Sequence, residues 1–174
     1  SPLSIDFAED RAKFSLLLDN LGIKQPVWTR VTSMEEAVLK AREIGYPVLI
    51  RPSYVLSGAA MNVASNEEEL VEYIRNATRI SPERSVVISK FFEQAYEAEV
   101  DAVSDGEYVF IGGVMEHLEY AGTHSGDATI ILPPQRLGED IVEKIKDYTV
   151  RIAKELRIVG AFNIQYLVKD SEVY

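Results

Sequence analysis

Cysteine is absent from all 174 residues. Its absence excludes disulfides, thiol nucleophiles and cysteine-ligated metals, and it suits a reducing compartment. Histidine is nearly absent too. His117 and His124 are the only two, seven residues apart with no cysteine nearby, and that is not a zinc-binding pattern. No apolar run approaches the ~18 residues of a membrane-spanning helix, and no signal peptide opens the chain, so no membrane partner is expected. Positive charge is scarce: 18 basic against 28 acidic residues give a formal charge of -10. Such a balance argues against a nucleic-acid partner. An anionic ligand would need a local cluster of basic groups and backbone amides. Internal repeats and low-complexity tracts are also missing. What is present, 47% hydrophobic and 26% charged residues, is the composition of a globular protein. The length suffices for one large domain or two small ones sharing a core. Both ends, Ser1-Pro2-Leu3 and the apolar run closing at Tyr174, read as parts of something longer.

Hydrophobic periodicity and punctuation set out the elements. Asp6 with Glu9 predicts a helix start, followed by Phe14, Leu17, Leu18 and Leu21 on one face and a stop at Gly22. "PVWTRV" reads as a strand, and Ser33 with Glu36 as a capping box for a helix ending at Gly45. "YPVLIRP" is a buried strand, "AMNVA" another, and Asn66 with Glu69 opens a helix to about Arg79. "VVISKFF" is again a strand. Ser104-Asp105-Gly106 joins two more as a hairpin. A long helix spans about Gly138 to Leu156, with Ile141, Ile145, Ile152 and Leu156 inward, and "GAFNIQYLVKDSEVY" closes the chain as strand, turn and strand. The order is α+β rather than alternating α/β. It divides into a leading helix and strand (1–32), a small lid-like subdomain (33–92) and a larger antiparallel sheet (93–174), with a cleft expected between the last two.

Four stretches could carry chemistry. In "LIRPSYVLSGAAM" a buried strand delivers Arg51 to a loop of small residues whose amides could approach phosphate oxygens. The spacing matches neither the Walker nor the dinucleotide fingerprint, and on spacing alone an ordinary connection with a salt-bridged arginine is the simpler reading. Glu97, Glu99 and Asp101 alternate on one strand face. A solvated face is the simpler reading there, and a cationic or hydroxylated ligand the sharper one. Asn163 and Gln165 alternate with Phe162, Ile164 and Tyr166, which fits either a polar cleft or a cross-strand amide contact. "EYAGTHSGDATIILPP" sets small, hydrogen-bonding and titratable groups between apolar runs, although a loop histidine is usually just a surface residue.

Taken in order, "SPLSIDFAEDR", "YPVLIRPSYVLSGAAM", "EAEVDA", "EHLEYAGTHSGDA", "LPPQ" and "FNIQYLV" closely resemble the ATP-grasp units of the carbamoyl-phosphate synthetase large subunit. The resemblance covers Ser1 to Tyr174, and the wording is more like the second, C-terminal unit than the first. It implies an ATP-grasp fold, two α+β subdomains with a nucleotide cleft between them. Arg11 and Arg51 then correspond to arginines approaching ATP's phosphates. Lys90, Phe91 and Phe92 correspond to the hinge beside adenine, and Glu97 to the carboxylate accepting the ribose hydroxyls. Gly122, Thr123, His124 and Ser125 resemble the nucleotide-site loop, with His124 placed for the nucleotide rather than for proton transfer. Gln165 resembles a position reaching the phosphates and their Mg²⁺, or Mn²⁺ in its place. Arg51 and Gln165 are thus the residues expected to act in phosphoryl transfer.

The implied reaction of the parent ligase is phosphorylation of carbamate by ATP, giving carbamoyl phosphate and ADP for pyrimidine and arginine biosynthesis. The first unit would act on bicarbonate instead. A glutamine amidotransferase small subunit or domain is the implied partner, and the cytoplasm the implied setting, with the mitochondrion an alternative. Three departures stand out: Ser57 where many members have glycine, Ala59 where they have arginine, and Lys90 where they often have histidine. In the family the chain continues beyond "EVY" into a strand with a glutamate and an asparagine that hold Mg²⁺. Without that strand, these residues are expected to bind nucleotide with little or no turnover. Two other readings are a different ATP-grasp ligase, such as a biotin carboxylase-like enzyme, and a non-catalytic subdomain that keeps only the shape.

Overall fold

The computed structural model describes residues 2–53, 61–80, 86–123 and 127–174. These divide into two compact units: Pro2–Asn20 with Gln25–Phe91, and Leu21–Lys24 with Phe92–Tyr174. The α+β organisation expected from the sequence is present in each.

The first unit begins with two helices, α1 (Pro2–Glu9) and α2 (Arg11–Asn20). Here the sequence reading needs correcting, because the cap of α2 is Asp10 and not Asp6. Asp10 Oδ1 accepts the N–H groups of Ala12 and Lys13 at 3.0 and 3.1 Å, satisfying two of the donors that a helix start leaves free. Asp6 lies inside α1 and takes an ion pair from Lys13 instead. There follow β1 (Trp28–Val31), α3 (Met34–Ile44), β2 (Val48–Pro52), β3 (Asn62–Ala64), α4 (Glu67–Ile80) and β4 (Val86–Lys90). The strands form an antiparallel sheet in the order β1-β4-β2-β3.

Both expected caps are in place. Ser33 accepts the Glu36 N–H at 3.1 Å while the Glu36 carboxylate returns to the Thr32 N–H at 2.8 Å. Asn66 and Glu69 repeat the exchange, with Ser65 as the second donor. Gly45 ends α3 at φ 83°, a left-handed conformation that glycine adopts without penalty. Ala37 and Ala41 of α3 and Leu70 and Ile74 of α4 pack against Val48, Ile50, Val86 and Ile88.

The second unit holds β5 (Tyr96–Asp105), β6 (Val109–Tyr120), β7 (Ile130–Ile131), α5 (Glu139–Glu155), β8 (Val159–Lys169) and β9 (Glu172–Val173). Its sheet runs β7-β6-β5-β8-β9, all antiparallel. The hairpin between β5 and β6 turns where expected: Asp105 Oδ1 accepts the N–H groups of Glu107 and Tyr108, and Gly106 sits at φ 98°. The helix α5 starts after Gly138 and turns Ile141, Ile145, Ile152 and, at its end, Leu156 into the core. One face of the sheet is apolar, with Ala98, Val100, Ala102, Val114, Tyr166 and Val168 buried. Thr149 of α5 meets the Tyr166 hydroxyl at 2.9 Å on that side. The other face is polar. Among the described residues no helix is long and apolar enough to cross a membrane.

Candidate functional site

In the first unit, β2 carries Arg51 to the end of the sheet, opposite Val87 of β4. Its Nε is buried and has no hydrogen-bond partner among the described residues. The start of α2 is tied to the same place, since the Arg11 N–H donates to Ser53 Oγ at 3.2 Å. Burial, and then repulsion from Arg11, pulls the Arg51 guanidinium down to about 10. Among the described residues no carboxylate pairs with Arg51, so the salt-bridged arginine expected on spacing alone is not found there. A buried cation next to another cation is costly unless an anion arrives.

Lys90, at the end of β4, is engaged. Its ammonium donates to the carbonyls of Gly45 and Tyr46 at 2.9 and 2.8 Å, which neutralises the C-terminal end of α3. Its own N–H is taken by the Val27 carbonyl and that of Phe91 by the Pro47 carbonyl, so these two amides are already in use.

In the second unit, the register places Glu99 opposite both Gln165 and Met115, and Asp101 opposite Asn163, all on the polar face. Asn163 Nδ2 donates to Glu99 at 2.8 Å and to Asp101 at 2.9 Å. His117 Nε2 lies 2.9 Å from the other Glu99 oxygen. The solvated face and the cross-strand amide contact are therefore both partly present: Asp101 and Gln165 are exposed, yet the amide does bridge two acids. Glu97 is different, being 9% exposed. Burial pushes its carboxyl upward; the His117 charge opposes this, Glu99 adds to it, and a backbone hydrogen bond from Gly122 opposes it. The net direction is up. Gly122 stands at φ 108°, a left-handed conformation, and Thr123 folds its hydroxyl back to the Tyr120 carbonyl at 3.3 Å. Phe92 meets Tyr174 edge to face at 4.9 Å between ring centres.

Of the residues singled out in the sequence, Arg11 and Arg51 therefore come together, as do Glu97 and Gly122, while Gln165 shares the face of Glu97. His124 and Ser125 lie outside the described residues, as does the loop with Ser57 and Ala59. His117 figured in the sequence only as half of a pair that is not a zinc pattern, and its place at the site was not foreseen. It is 1% exposed, and its Nδ1 is buried without a partner among the described residues. Its acidic partner is 18 positions away, so only the pairing of β5 with β6 could have shown the contact. An open depression of about 410 Å³ lies further along the sheet, lined by Asp101, Val103, Phe110 and Phe162. It is away from Glu97 and gathers no cluster of charged groups.

On the apolar face, Glu116 is fully buried and fully bonded. Its Oε2 accepts the N–H groups of Gln135 and Arg136 at 3.0 and 2.8 Å, and its Oε1 takes Arg136 Nε. Burial alone would push this carboxyl up, but the Arg136 side chain and the two backbone donors outweigh it and hold it below the usual range.

Over residues 10–174 the sequence matches the family described as carbamoyl-phosphate synthase L chain, ATP binding domain. It is 54% identical over 171 residues to the carbamoyl phosphate synthase large chain of Sulfurisphaera tokodaii, a match covering 98% of this chain and 16% of that one. With the C-terminal section of that large chain in Methanocaldococcus jannaschii it shares 51% identity over 174 residues, covering 100% of this chain and 28% of the relative. The chain thus spans a minor part of the curated relatives it matches. A solved biotin carboxylase from Campylobacter jejuni, in a β-γ-ATP complex, superposes with a TM-score of 0.86 at 19% identity, covering 98% of this chain and 40% of that one. D-alanyl-alanine synthetase A from Vibrio cholerae superposes with 0.85 at 17%, covering 100% and 56%. At those identities the likeness concerns the fold alone, which is ATP-grasp. With the sequence match running from Asp10 to Tyr174, the chain belongs to the carbamoyl-phosphate synthase large-chain ATP-binding domain family.

Proposed function

We propose that this chain binds ATP, with Mg²⁺ on its phosphates, as part of a synthase that phosphorylates carbamate to carbamoyl phosphate. The observation that carries the nucleotide reading is Arg51: a half-buried guanidinium with its Nε shielded from solvent, beside Arg11, with no carboxylate among the described residues to neutralise it. In a chain of net charge -10 an isolated cationic spot of this kind favours a compact anion such as a polyphosphate. Phosphoryl transfer requires mainly such positioning and charge neutralisation. Arg51 takes the phosphate charge, with Arg11 beside it. Glu97 accepts the ribose hydroxyls, with Gly122 and Thr123 next to it. Lys90 and Phe92 border the adenine, and His124 and Ser125 complete the loop. A nucleotide hydroxyl would also relieve Glu97, whose charge is now disfavoured by burial.

Gln165 is the protein's own oxygen ligand toward the metal. Among the described residues no three His, Asp or Glu side chains are arranged to hold a metal ion. That donor set fits a Mg²⁺ carried on the phosphates, where it keeps most of its waters, and not a metal held by these residues alone.

Calorimetric titration with Mg-ADP tests the reading. Wild type should bind, and Arg51→Ala and Glu97→Ala should each bind more weakly. No binding by wild type, or binding indifferent to both changes, would favour a non-catalytic assembly subdomain. For the substrate, the match to a C-terminal section supports carbamate. Bicarbonate is the alternative, and supplying each in turn to the complete synthase separates them.

A further inference from the structure

The ladder between β5 and β6 is interrupted beside Glu97. Ala98 pairs with Glu116 and Tyr96 with Tyr120, so residues 117–119 of β6 stand against Glu97 alone. A bulge of this kind bends the strand and takes backbone groups out of the ladder. Arg136 meets the exposed carbonyls. Its Nη2 donates to the His117 carbonyl, its Nη1 to that of Leu118 at 3.3 Å, and its Nε to Glu116. The guanidinium plane also lies over the Tyr96 ring, 4.5 Å from the centroid. One side chain therefore grips both strands flanking the bulge, from the face opposite Glu97.

The outer side of the bulge is fixed separately. His117 and Glu116 pair with Ile130 and Ile131 of β7, and the Leu118 N–H donates to the Thr129 carbonyl at 2.8 Å. The Glu119 carboxylate receives both the N–H and the hydroxyl of Thr129. Two things depend on the shape so held: the contact of His117 with Glu99, and the approach of the Gly122 backbone to Glu97.

We propose that Arg136 is a positioning residue for the nucleotide site. It holds the β6 bulge that points the Gly122 amide at Glu97 and the His117 ring at Glu99. The inference rests on the nucleotide reading of Glu97 given above. A lysine could keep the charge pair with Glu116, but it lacks the planar fork that reaches three acceptors on successive residues.

The test is Arg136→Lys in the full chain, followed by nitrogen-edited NMR of the Gly122 amide and the His117 imidazole and by calorimetry with Mg-ADP. The expected result is a displaced Gly122 amide, a displaced His117 signal and an affinity loss of about tenfold, the scale of one hydrogen bond to a charged group. Glu97→Gln added to Arg136→Lys should cost little beyond Glu97→Gln alone, because both act through the same carboxylate. Unchanged Gly122 and His117 signals, or fully additive losses, overturn the proposal. If wild type binds no Mg-ADP, the nucleotide reading falls, and the two NMR signals still decide what Arg136 does. Should Arg136→Lys fail to fold, Tyr96→Leu removes the ring under the guanidinium and leaves the hydrogen bonds in place. The same signals should then move in the same direction, and no movement again overturns the proposal.

Discussion

Glu97 and Glu116 sit on opposite faces of one sheet, both buried, and their carboxyls are shifted in opposite directions. Glu116 has two backbone donors and a guanidinium, so its charge is better accommodated folded than unfolded. Glu97 has one backbone donor and a neighbouring acid, and burial prevails. Burial alone therefore says little about the role of an ionisable group. The count of satisfied hydrogen bonds separates a carboxylate that fastens the fold from one left short of partners, which is the kind a ligand can complete. Arg51, in the other unit, belongs with Glu97: a half-buried charge whose shielded Nε lacks a partner among the described residues.

If that contrast holds, substitutions on the two sides should separate stability from binding. The largest effect belongs to Glu116→Ala, which strands Arg136 and two backbone donors; a loss of about 3 kcal/mol in urea unfolding is expected. Arg51→Met should do the reverse. Nucleotide affinity should fall by about 2 kcal/mol, roughly thirtyfold, while stability stays level or rises, because a half-buried charge left without a carboxylate among the described residues is replaced by an apolar side chain of similar length. Glu97→Gln should weaken binding by about 1.5 kcal/mol, a little over tenfold, and raise the melting temperature at neutral pH slightly. A melting temperature that falls would place Glu97 with Glu116 as a fastening group.

The smallest and sharpest signature is in pH. Glu116, held below 4.5, contributes stability that is fully present above that value and is lost as pH falls through its folded value. Glu97, raised above 4.5, is protonated more readily when folded, so its penalty develops as pH rises from 4.5 through its folded value. Unfolding measured across about pH 2.5 to 6.5 (a window of about two units either side of a carboxyl's ordinary value) should lose its acid-side slope in Glu116→Gln. Glu97→Gln should lose the opposing slope on the less acidic side. Equal effects of the two changes would break the comparison.

Local features were legible in the sequence. The caps at Ser33 and Asn66, the stop at Gly45, the Asp105-Gly106 hairpin and the inward face of α5 all depend on residues within a few positions of each other. Asp10 was missed because Asp6 offers the same capping chemistry four residues earlier, and the choice depends on where the backbone leaves the helix. β7 consists of Ile130 and Ile131 alone, too short to show any alternation. At the site, Glu97 was legible as one of three alternating acids, but its distinction from Glu99 and Asp101 arises from burial and from Gly122, 25 positions on. Arg51 could be named from its strand and loop, whereas Arg11 comes beside it through a hydrogen bond spanning 42 positions. Pairings at that distance leave no periodic trace in the residues that make them.

The connectivity of the two units bears on how such a protein can be recombined. Leu21–Lys24 belongs to the second unit although the chain on either side of it belongs to the first. Ile23 is buried there, the Leu21 carbonyl accepts from Arg151, and Lys24 shares Glu172 with Lys144. A gene fragment starting at Phe92 would lose the buried Ile23 side chain and leave Arg151 and Glu172 each short of a partner. Grafting either unit into another scaffold by a single crossover would meet the same obstacle. The heritable building block is the pair, interleaved in one stretch of sequence, and homologous exchange should preserve it whole.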